Sequence, residues 1–363
     1  MTRLMLRIVF VVCAVLLAGC VAQPIFPGDD WSVVADPATA GFDAGALGEL
    51  AAATEAGNTQ SMIVIKGGEV VYSFGDIALS EDAYVASVRK SILSMMYGDW
   101  VQRGIIDLDA TLEMLHIDDL QGLSEREKTA TLRHLISARS GVYHPASNFS
   151  GVTEDGPRRG DHGPGEYYWY NNWDFNAAGG IFEQLTGGNI YEAFDEQLSK
   201  PLGLQDFDLA THLDDGKTGN LKRSKFPAYH FFLSARDLAR LGLLMLRGGE
   251  WNDEQIIPAD WIIENTAIVT PNAQMNPPKT RDTGFGYGYM WWVFDPDRFP
   301  NEYLGGYAAR GHFGQYIIVL PAMDLVIAHK TLGEDYETPE EYEAINVTWD
   351  EMRVLVDLVL AAM

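Results

Sequence analysis

The spacing of apolar side chains after residue 43 predicts a short amphipathic helix. Asp43 has the side chain of a helix-capping residue, and Leu47, Leu50 and Ala51 follow at the i, i+3 and i+4 positions that share one face of a helix. Thr54 takes the next position of that face, where its polar side chain indicates a frayed end. The pattern therefore predicts a helix that packs through one apolar face.

Two apolar runs then predict a β-hairpin. Residues 61–66 and 69–73 are separated only by Gly67 and Gly68. A two-residue glycine turn between apolar runs is a strong hairpin signal, because the favoured turns need positive φ angles. From residue 87 to about residue 222, helical patterns and loops dominate instead.

The remainder of the chain returns to strands and closes with a helix. Residues 234–246 carry a helical pattern. Strand-like runs are predicted at 286–294, 315–320 and 324–329, the last two as a second hairpin. The closing helix is predicted from about residue 346 to residue 360, with a buried face supplied by Val347, Val354, Leu355, Leu358 and Val359.

The order of these elements predicts an α+β fold of the α/β-sandwich type. An antiparallel sheet is expected between N- and C-terminal helices, closed by segments far apart in the chain, beside an inserted all-helical domain. The predicted boundaries are 41–86 together with 223–363 for the sheet domain and 87–222 for the helical domain.

The extreme N-terminus has the pattern of an export signal. Arg3 and Arg7 precede an uninterrupted apolar run over residues 8–18. As a helix this run would span about 16 Å, roughly half of the hydrocarbon core of a bilayer, which favours a signal peptide over a membrane span. The Leu-Ala-Gly-Cys sequence at residues 17–20 resembles the lipobox of bacterial lipoproteins.

This resemblance implies that residues 1–19 are a signal peptide, that Cys20 is lipidated and that residues 20–40 form a tether. The expected protein is an exported lipoprotein of the bacterial cell envelope, anchored to a membrane through Cys20, and to the outer membrane where the host has one. A plain secretory signal cleaved near Ala22 is the alternative. Cys13, the only other cysteine, leaves with the signal, so no disulfide is expected.

Composition narrows the class of protein further. The 363 residues are 47% hydrophobic and 21% charged, which is typical of a globular protein and excludes a disordered one. With 26 Lys+Arg against 51 Asp+Glu, the formal net charge is −25, which argues against a nucleic-acid partner because phosphate binding needs a basic surface. The 8 histidines show no H-x-H or H-E-x-x-H pattern, so neither a metal nor a cofactor is expected.

Ser87 and Lys90 form an S-x-x-K pattern at the start of a predicted helix. Positions i and i+3 share a helix face, so the hydroxyl and the amine can lie within hydrogen-bond reach. A lysine whose pKa is lowered by burial or by neighbouring positive charge can take the serine proton and create a nucleophile. Arg89 is expected on a different face and outside the chemistry. The alternative interpretation is a helix-capping serine beside a solvated lysine.

Tyr170 and Asn172 lie in an aromatic segment just before another predicted helix. A tyrosine phenol with a lowered pKa can relay a proton between a nucleophile and a leaving group. An amide such as Asn172 can both donate to and accept from a substrate ester or amide. Aromatic-rich loops before helices often serve only in packing, and this is the alternative interpretation of the segment.

The stretch from Arg310 to Gln315 opens the predicted strand at 315–320. Gly314 at a strand edge lets a ligand approach the backbone, and the N–H of Gln315 can then form half of an oxyanion hole with the N–H of Ser87. His312 can orient or polarise the substrate. The alternative interpretation is that His312 is a partly buried histidine near a sheet edge with no role in substrate binding.

Together the Ser/Lys, Tyr/Asn and His-x-Gly motifs, in this order, resemble the serine β-lactamase and penicillin-binding-protein superfamily, and most of all the class C β-lactamase-related esterases and amidases, including the 6-aminohexanoate-dimer hydrolase type. Further short segments resemble sequences that this family has at similar positions; they are residues 85–91, 131–135, 140–141, 201–203, 234–238 and 311–321.

The resemblance implies a role for each site residue. Ser87 is the acylated nucleophile, Lys90 its base partner, Tyr170 the proton relay and Asn172 a substrate-binding amide. Gln315 supplies the second oxyanion N–H.

His312 stands where true β-lactamases have the lysine of Lys-Thr-Gly, a residue that helps to hold the antibiotic carboxylate. Because histidine is mostly neutral at pH 7, an ester or a small amide is favoured as the substrate over a β-lactam, although Arg310 can restore positive charge. Lys217-Thr218-Gly219 spells the missing motif in a polar, turn-like segment and is expected to be an exposed turn. The alternative functions are a true β-lactamase or D-Ala-D-Ala peptidase, and a catalytically silent relative that only binds its ligand.

Overall fold

The computed structural model describes residues 24–79, 83–148, 156–331 and 345–363. The predictions for the signal peptide at 1–19 and for lipidation of Cys20 lie outside these residues. Within the described ranges, no helix is long and apolar enough to cross a membrane.

Ten α-helices are assigned in the described ranges. They are α1 (Ala44–Ala56), α2 (Val88–Gln102), α3 (Leu132–Ile136), α4 (Asn172–Thr186), α5 (Ile190–Phe194), α6 (Lys200–Leu202), α7 (Leu209–Asp215), α8 (Ala235–Leu246), α9 (Ala259–Asn265) and α10 (Trp349–Ala361). Asp43 caps α1 as predicted, since its Oδ1 accepts a hydrogen bond from the N–H of Ala46 at 2.9 Å. Thr54 is buried inside α1 and does not mark a frayed end.

Seven strands form one antiparallel sheet. They are β1 (Ser61–Lys66), β2 (Glu69–Gly75), β7 (Phe285–Tyr287), β8 (Trp292–Phe294), β9 (Tyr307–Gly311), β10 (Gln315–Leu320) and β11 (Leu325–Lys330). Their spatial order is β2-β1-β11-β10-β9-β8-β7. Two short pairs complete the strands, β3 (Lys217–Thr218) with β4 (Ala228–Tyr229) and β5 (Glu250–Trp251) with β6 (Glu254–Gln255).

The pairing of β1 with β11 closes the sheet between segments from opposite ends of the chain, as predicted. Ser61 lies opposite Lys330 and Lys66 lies opposite Leu325. Gly67 and Gly68 make the turn between β1 and β2 with φ angles of 66° and 101°, which a side chain would strain. The mixed α+β fold with a main antiparallel sheet flanked by helices is therefore confirmed, while the domain boundaries stay a prediction.

Both faces of the sheet are buried, because helices cover each of them. Met62 and Val64 of β1 pack in one hydrophobic cluster with α1 and α10, and Ile63 packs in the other with α2 and α8. Burial of each such side chain contributes about 1.5–3 kcal/mol to stability. Gly242 of α8 permits close packing on the sheet, since a Cβ there would lie 2.5 Å from Cγ1 of Val326.

Two predicted elements differ from the structure. The run at 286–294 is not one strand but the hairpin of β7 and β8, because the chain reverses between them with Met290 at a φ of 62°. The closing helix begins at Trp349, where Thr348 and Glu351 form a capping box. Its predicted buried face was partly wrong, since Val354 is 56% exposed.

Candidate active site

Ser87 lies at the N-terminal end of α2 on a constrained backbone. The residue before it, Ala86, has a φ of 49°, a left-handed conformation that costs a non-glycine residue about 1–2 kcal/mol. The Ser87 side chain makes no capping hydrogen bond to α2. The helix-capping interpretation of this serine is therefore wrong, and its hydroxyl is directed to other partners.

Lys90 is the residue that joins the predicted catalytic groups. Its Nζ atom lies 2.6 Å from Oγ of Ser87 and 2.7 Å from the phenol oxygen of Tyr170. The side chain is 2% exposed and also lies over the rings of Tyr170 and Phe175, at 4.6 and 5.0 Å. Lys90 is therefore not a solvated lysine, and no carboxylate among the described residues forms an ion pair with it.

Burial and a neighbouring cation both disfavour the charged form of this lysine. Desolvation lowers the pKa of Lys90 well below its ordinary value, and the positive charge of Arg89 lowers it further. The expectation that Arg89 lies outside the site is wrong. Arg89 is 1% exposed, lines the cleft and donates a hydrogen bond from Nη2 to Oδ1 of Asn176 at 2.7 Å.

Tyr170 reaches Lys90 from the segment that precedes α4. Its ring stacks on Trp292 of β8, with ring centroids 5.6 Å apart and an interplanar angle of 29°. Burial raises the pKa of Tyr170 to about 12, although a hydrogen bond with Ser87 and the charges of Arg89 and Arg310 act in the opposite direction. The predicted lowering of the phenol pKa is therefore wrong, and Tyr170 holds its proton at neutral pH.

Asn172 is the first residue of α4 and lines the cleft beside Tyr170. The residue between them, Asn171, is buried, caps α4 through its side chain and donates a hydrogen bond to the carbonyl of Val142 at 2.9 Å. This cap holds the start of α4 and thereby sets the position of Asn172. The substrate-binding role of Asn172 stays a prediction.

The segment from Gly311 to Gly314 forms a tight turn between β9 and β10 opposite Ser87. Phe313 and Gly314 have φ angles of 66° and 104°. A Cβ at Gly311 would lie 2.5 Å from the carbonyl oxygen of Val85, so the missing side chain permits this turn to approach the segment that leads into Ser87. Gly314 is similarly close to Val347.

His312 lies at the exposed rim of the cleft. Partial burial lowers the pKa of its ring below the ordinary value, so the imidazole is neutral at pH 7, as expected. Gln315 is placed differently. Its side chain is buried beneath the turn, where Nε2 donates to Oγ1 of Thr331 at 2.9 Å, and Gln315 is not among the described residues that line the cleft. Its role as an oxyanion donor stays a prediction.

The turn is held from below by a histidine that the sequence did not single out. The Nδ1 atom of His329 lies 2.7 Å from the carbonyl oxygen of Gly314, and its Nε2 lies 2.8 Å from Oγ1 of Thr59. Burial lowers the pKa of His329 to about 4, so the ring is neutral, donates from Nδ1–H and accepts from Thr59.

These groups surround a cleft of about 750 Å³. The described residues that line it include no Asp or Glu, although the chain as a whole is strongly acidic. Besides Arg89 and Lys90, the cleft is lined by the basic side chain of Arg310. Its guanidinium lies 4.7 Å from the centre of the ring of Trp292 and 5.4 Å from that of Trp349. The lining residues that sequence reasoning missed are Tyr84, Arg89, Asn148 and the consecutive Asn346, Val347, Thr348 and Trp349.

Two further sequence expectations concern places outside this cleft. Lys217 and Thr218 are exposed, as expected for a turn, but they form the short strand β3, and Nζ of Lys217 pairs with Glu183 at 2.6 Å. No group of three or more His, Cys, Asp or Glu among the described residues lies in a position to hold a metal ion.

Comparison with known proteins agrees with this geometry. Residues 51–346 match the protein family described as beta-lactamase. The chain is 25% identical over 312 residues to the 6-aminohexanoate-dimer hydrolase of Paenarthrobacter ureafaciens, covering 77% of this chain and 74% of that protein.

Two solved structures share the fold at lower sequence identity. A penicillin-binding protein homolog from Caulobacter crescentus is 15% identical with a TM-score of 0.59, covering 88% of this chain and 99% of that one. EstCE1, a hydrolase with promiscuous acyltransferase activity, is 15% identical with a TM-score of 0.55, covering 86% and 98%.

Proposed function

The chain belongs to the β-lactamase family of serine hydrolases, and on this basis we propose that it cleaves a small ester or amide through an acyl-enzyme on Ser87. The observation that carries the proposal is the position of Lys90, whose Nζ lies within hydrogen-bond distance of both Ser87 and Tyr170. A hydroxyl, an amine whose pKa is lowered and a protonated phenol in contact are the groups that acyl transfer needs.

Acylation begins with proton transfer from the Ser87 hydroxyl to the Lys90 amine. The lowered pKa of Lys90 makes its lone pair more available than that of a solvated lysine, so it acts as the base. The Ser87 oxygen then attacks the substrate carbonyl carbon and forms a tetrahedral intermediate. The raised pKa of Tyr170 keeps its phenol protonated, so this group passes a proton to the leaving alcohol or amine and recovers one from Lys90.

The negative oxygen of that intermediate needs two hydrogen-bond donors. The N–H of Ser87, at the start of α2, supplies one and benefits from the positive end of the helix dipole. For the other donor, the backbone N–H groups of the turn from Gly311 to Gly314 are better placed than that of Gln315, because this turn lines the cleft and approaches Val85.

The substrate preference rests on the rim of the cleft. His312 is neutral and so offers no fixed charge for a carboxylate, whereas an ester or a simple amide needs none. Trp292 and Trp349 give the lining an apolar part suited to an acyl or alkyl group. The favoured substrates are therefore uncharged esters and small amides.

A second candidate, turnover of β-lactams or of D-Ala-D-Ala peptides, is favoured by one observation. Arg310 lies in the cleft as a cation, and no Asp or Glu is present among the described lining residues. A guanidinium in this place can bind the carboxylate that such substrates carry.

The test is a comparison of substrates for one preparation of enzyme. We expect hydrolysis of p-nitrophenyl acetate and p-nitrophenyl butyrate, with a kcat/KM at least about tenfold above that for nitrocefin. A larger kcat/KM for nitrocefin would select the second candidate. Absence of turnover for esters, linear amides and nitrocefin alike, together with tight binding of any of them, would select the ligand-binding alternative.

We further propose that the protein is exported and anchored through a lipid on Cys20. The support is the sequence of the N-terminus, with Arg3 and Arg7 ahead of an apolar run that ends in Leu-Ala-Gly-Cys. Fractionation of producing bacteria tests this directly. Cys20→Ser is expected to release the protein from the membrane fraction, and Cys13→Ser, in the predicted signal, is the matched control that leaves it there. Equal membrane retention of both variants would contradict the anchor.

A further inference from the structure

Lys330, the last residue of β11, is a buried lysine outside the catalytic groups. It is 1% exposed, and its Nζ donates to the carbonyl oxygens of Ala83 at 2.7 Å, Leu233 at 2.9 Å and Tyr84 at 3.4 Å. No ion pair with a described carboxylate offsets its burial. A buried amine is tolerated when its donors are satisfied, so these three carbonyls account for its place in the core.

Two of the three carbonyls belong to residues 83–86, a segment we name the strap because it leads directly into Ser87. The strap is paired with the chain before α8, since the N–H of Val85 donates to Phe231 at 3.0 Å and the N–H of Leu233 donates to Ala83 at 3.0 Å. Lys330 bonds to both chains of this pairing at once. It thereby fastens the start of the strap to the end of the central strand β11.

The other end of the strap, at Ala86, has a backbone conformation that must be stabilised by its surroundings. Ala86 adopts a left-handed φ of 49°, which is unfavourable for alanine and persists only where the surroundings impose it. Ser87 follows immediately, so any relaxation of Ala86 turns the nucleophile relative to Lys90. On the other side, the turn at Gly311 packs against Val85 and leaves the strap little space.

Resting on the function proposed above, we propose that Lys330 is a positioning residue, which acts through the strap to hold Ser87 in reactive orientation toward Lys90. Lys330 does not itself line the substrate cleft and contacts no catalytic side chain among the described residues, so its effect is indirect. Removal of its donors frees the strap, Ala86 relaxes toward a common φ angle, and Oγ of Ser87 moves from its 2.6 Å contact with Lys90.

The hydrogen bonds from Lys330 to the strap and its partner chain do not require a charged lysine. Burial lowers the pKa of Lys330 to about 7. The uncharged amine keeps two N–H donors, which are enough for the two shorter contacts to Ala83 and Leu233.

The test compares Lys330→Met with a matched control, Lys66→Met. Lys66 lies at the opposite end of the paired strands β1 and β11, where its Nζ donates to the carbonyl of Met323 at 2.6 Å, far from the strap. Both changes remove one lysine donor group and keep a side chain of similar length.

We expect Lys330→Met to lower kcat for p-nitrophenyl acetate, and the second-order rate of inactivation by a fluorophosphonate, by about 10- to 100-fold, because a nucleophile displaced by about 1 Å loses that much. KM is expected to stay within about threefold, since Lys330 itself does not line the cleft, and Lys66→Met is expected to leave all three values within about twofold. Lys330→Gln, which retains an amide donor, is expected to recover part of the loss.

Other outcomes separate the possible failures. Inactivation of folded Lys330→Met at the wild-type rate would overturn the inference. Should Lys330→Met fail to fold, as judged by near-ultraviolet circular dichroism, Lys330→Gln decides. Wild-type kcat and wild-type inactivation rate in Lys330→Gln, together with a loss of stability, would assign Lys330 a structural role only. An unreactive wild-type enzyme would instead contradict the proposed function itself.

Discussion

The Nζ atom of Lys90 lies 2.7 Å from the phenol oxygen of Tyr170, 80 residues further along the chain. The two groups respond to the same burial in opposite directions. Burial lowers the pKa of Lys90, because it disfavours an ammonium, and raises that of Tyr170 to about 12, because it disfavours a phenolate. The amine therefore loses its proton more readily than in water while the phenol retains it, which supports the proposed roles of Lys90 as the base and Tyr170 as the proton donor.

The pH dependence of catalysis follows from these directions. Below the lowered pKa of Lys90 the amine is charged and cannot accept the Ser87 proton, so kcat/KM is expected to rise as the pH increases through that pKa. With a phenol pKa of about 12, no loss from Tyr170 ionisation is expected up to about pH 10. Initial rates with p-nitrophenyl acetate, corrected for spontaneous hydrolysis, check both limbs. A decline between about pH 9 and 10 would assign the phenol an ordinary pKa.

Loss of the phenol hydroxyl tests its role as proton donor. Tyr170→Phe keeps the ring on Trp292 and removes only the oxygen, so kcat/KM is expected to fall about 10²-fold with little change in thermal stability. Tyr168→Phe is the matched control, because the buried hydroxyl of Tyr168 has no hydrogen-bond partner among the described residues. Equal activities of the two variants would remove Tyr170 from the proton path.

The charge of Arg89 is expected to set the acid limb of the pH profile. Removal of a neighbouring cation favours the charged form of Lys90, so Arg89→Met is expected to move the acid limb to higher pH, by about one unit. The position of the limb does not depend on how much protein is folded, which keeps the test valid in a less stable variant. Arg103→Met, at the exposed C-terminal cap of α2, is the control. An unchanged position of the acid limb in Arg89→Met would leave desolvation alone as the cause of the lowered pKa of Lys90.

Close approach of the turn from Gly311 to Gly314 to the segment before Ser87 requires a glycine at residue 311. Gly311→Ala is expected to reduce kcat by at least about tenfold and to destabilise the fold by about 1–3 kcal/mol, because the new Cβ would lie 2.5 Å from the carbonyl oxygen of Val85. Gly48→Ala in α1 meets no atom within 4 Å and is expected to stabilise the helix slightly. Urea unfolding and ester hydrolysis measure both effects. Full activity of Gly311→Ala would show that this contact does not set the geometry.

The sequence predicted those parts of the fold that depend on local pattern. The glycine turn at residues 67–68 and the cap at Asp43 are formed by neighbouring residues, and both are present as predicted. Strand β9 was missed, since its Tyr-Ala-Ala-Arg-Gly sequence has no apolar alternation and gains its place only from neighbours in the sheet. The hairpin of β7 and β8 was read as one strand because its turn, Gly-Tyr-Met-Trp at residues 288–291, has only one residue typical of turns.

For the candidate site too, the features set by local spacing were predicted and those set by distant segments were not. The spacing of Ser87 and Lys90 placed them on one face of α2, and their contact follows from that local geometry. The same argument failed for Arg89, because the first turns of α2 are buried on all sides and leave no solvent-facing position for it. The pKa of Tyr170 and the lining from Asn346 to Trp349 depend on burial by distant segments, which no local pattern records.

The most direct test of the account is the intact mass of the protein after incubation with a fluorophosphonate. The reagent reacts with an activated serine oxygen, so the wild type is expected to gain the mass of one phosphonyl group, placed on Ser87 by peptide mapping. Ser87→Ala is expected to gain none. Ser91→Ala is expected to react like the wild type, because Ser91 lies in α2 but donates its hydroxyl to the carbonyl of Met290, between β7 and β8. An unmodified wild-type protein, or an adduct that persists in Ser87→Ala, would contradict the assignment of Ser87 as the nucleophile.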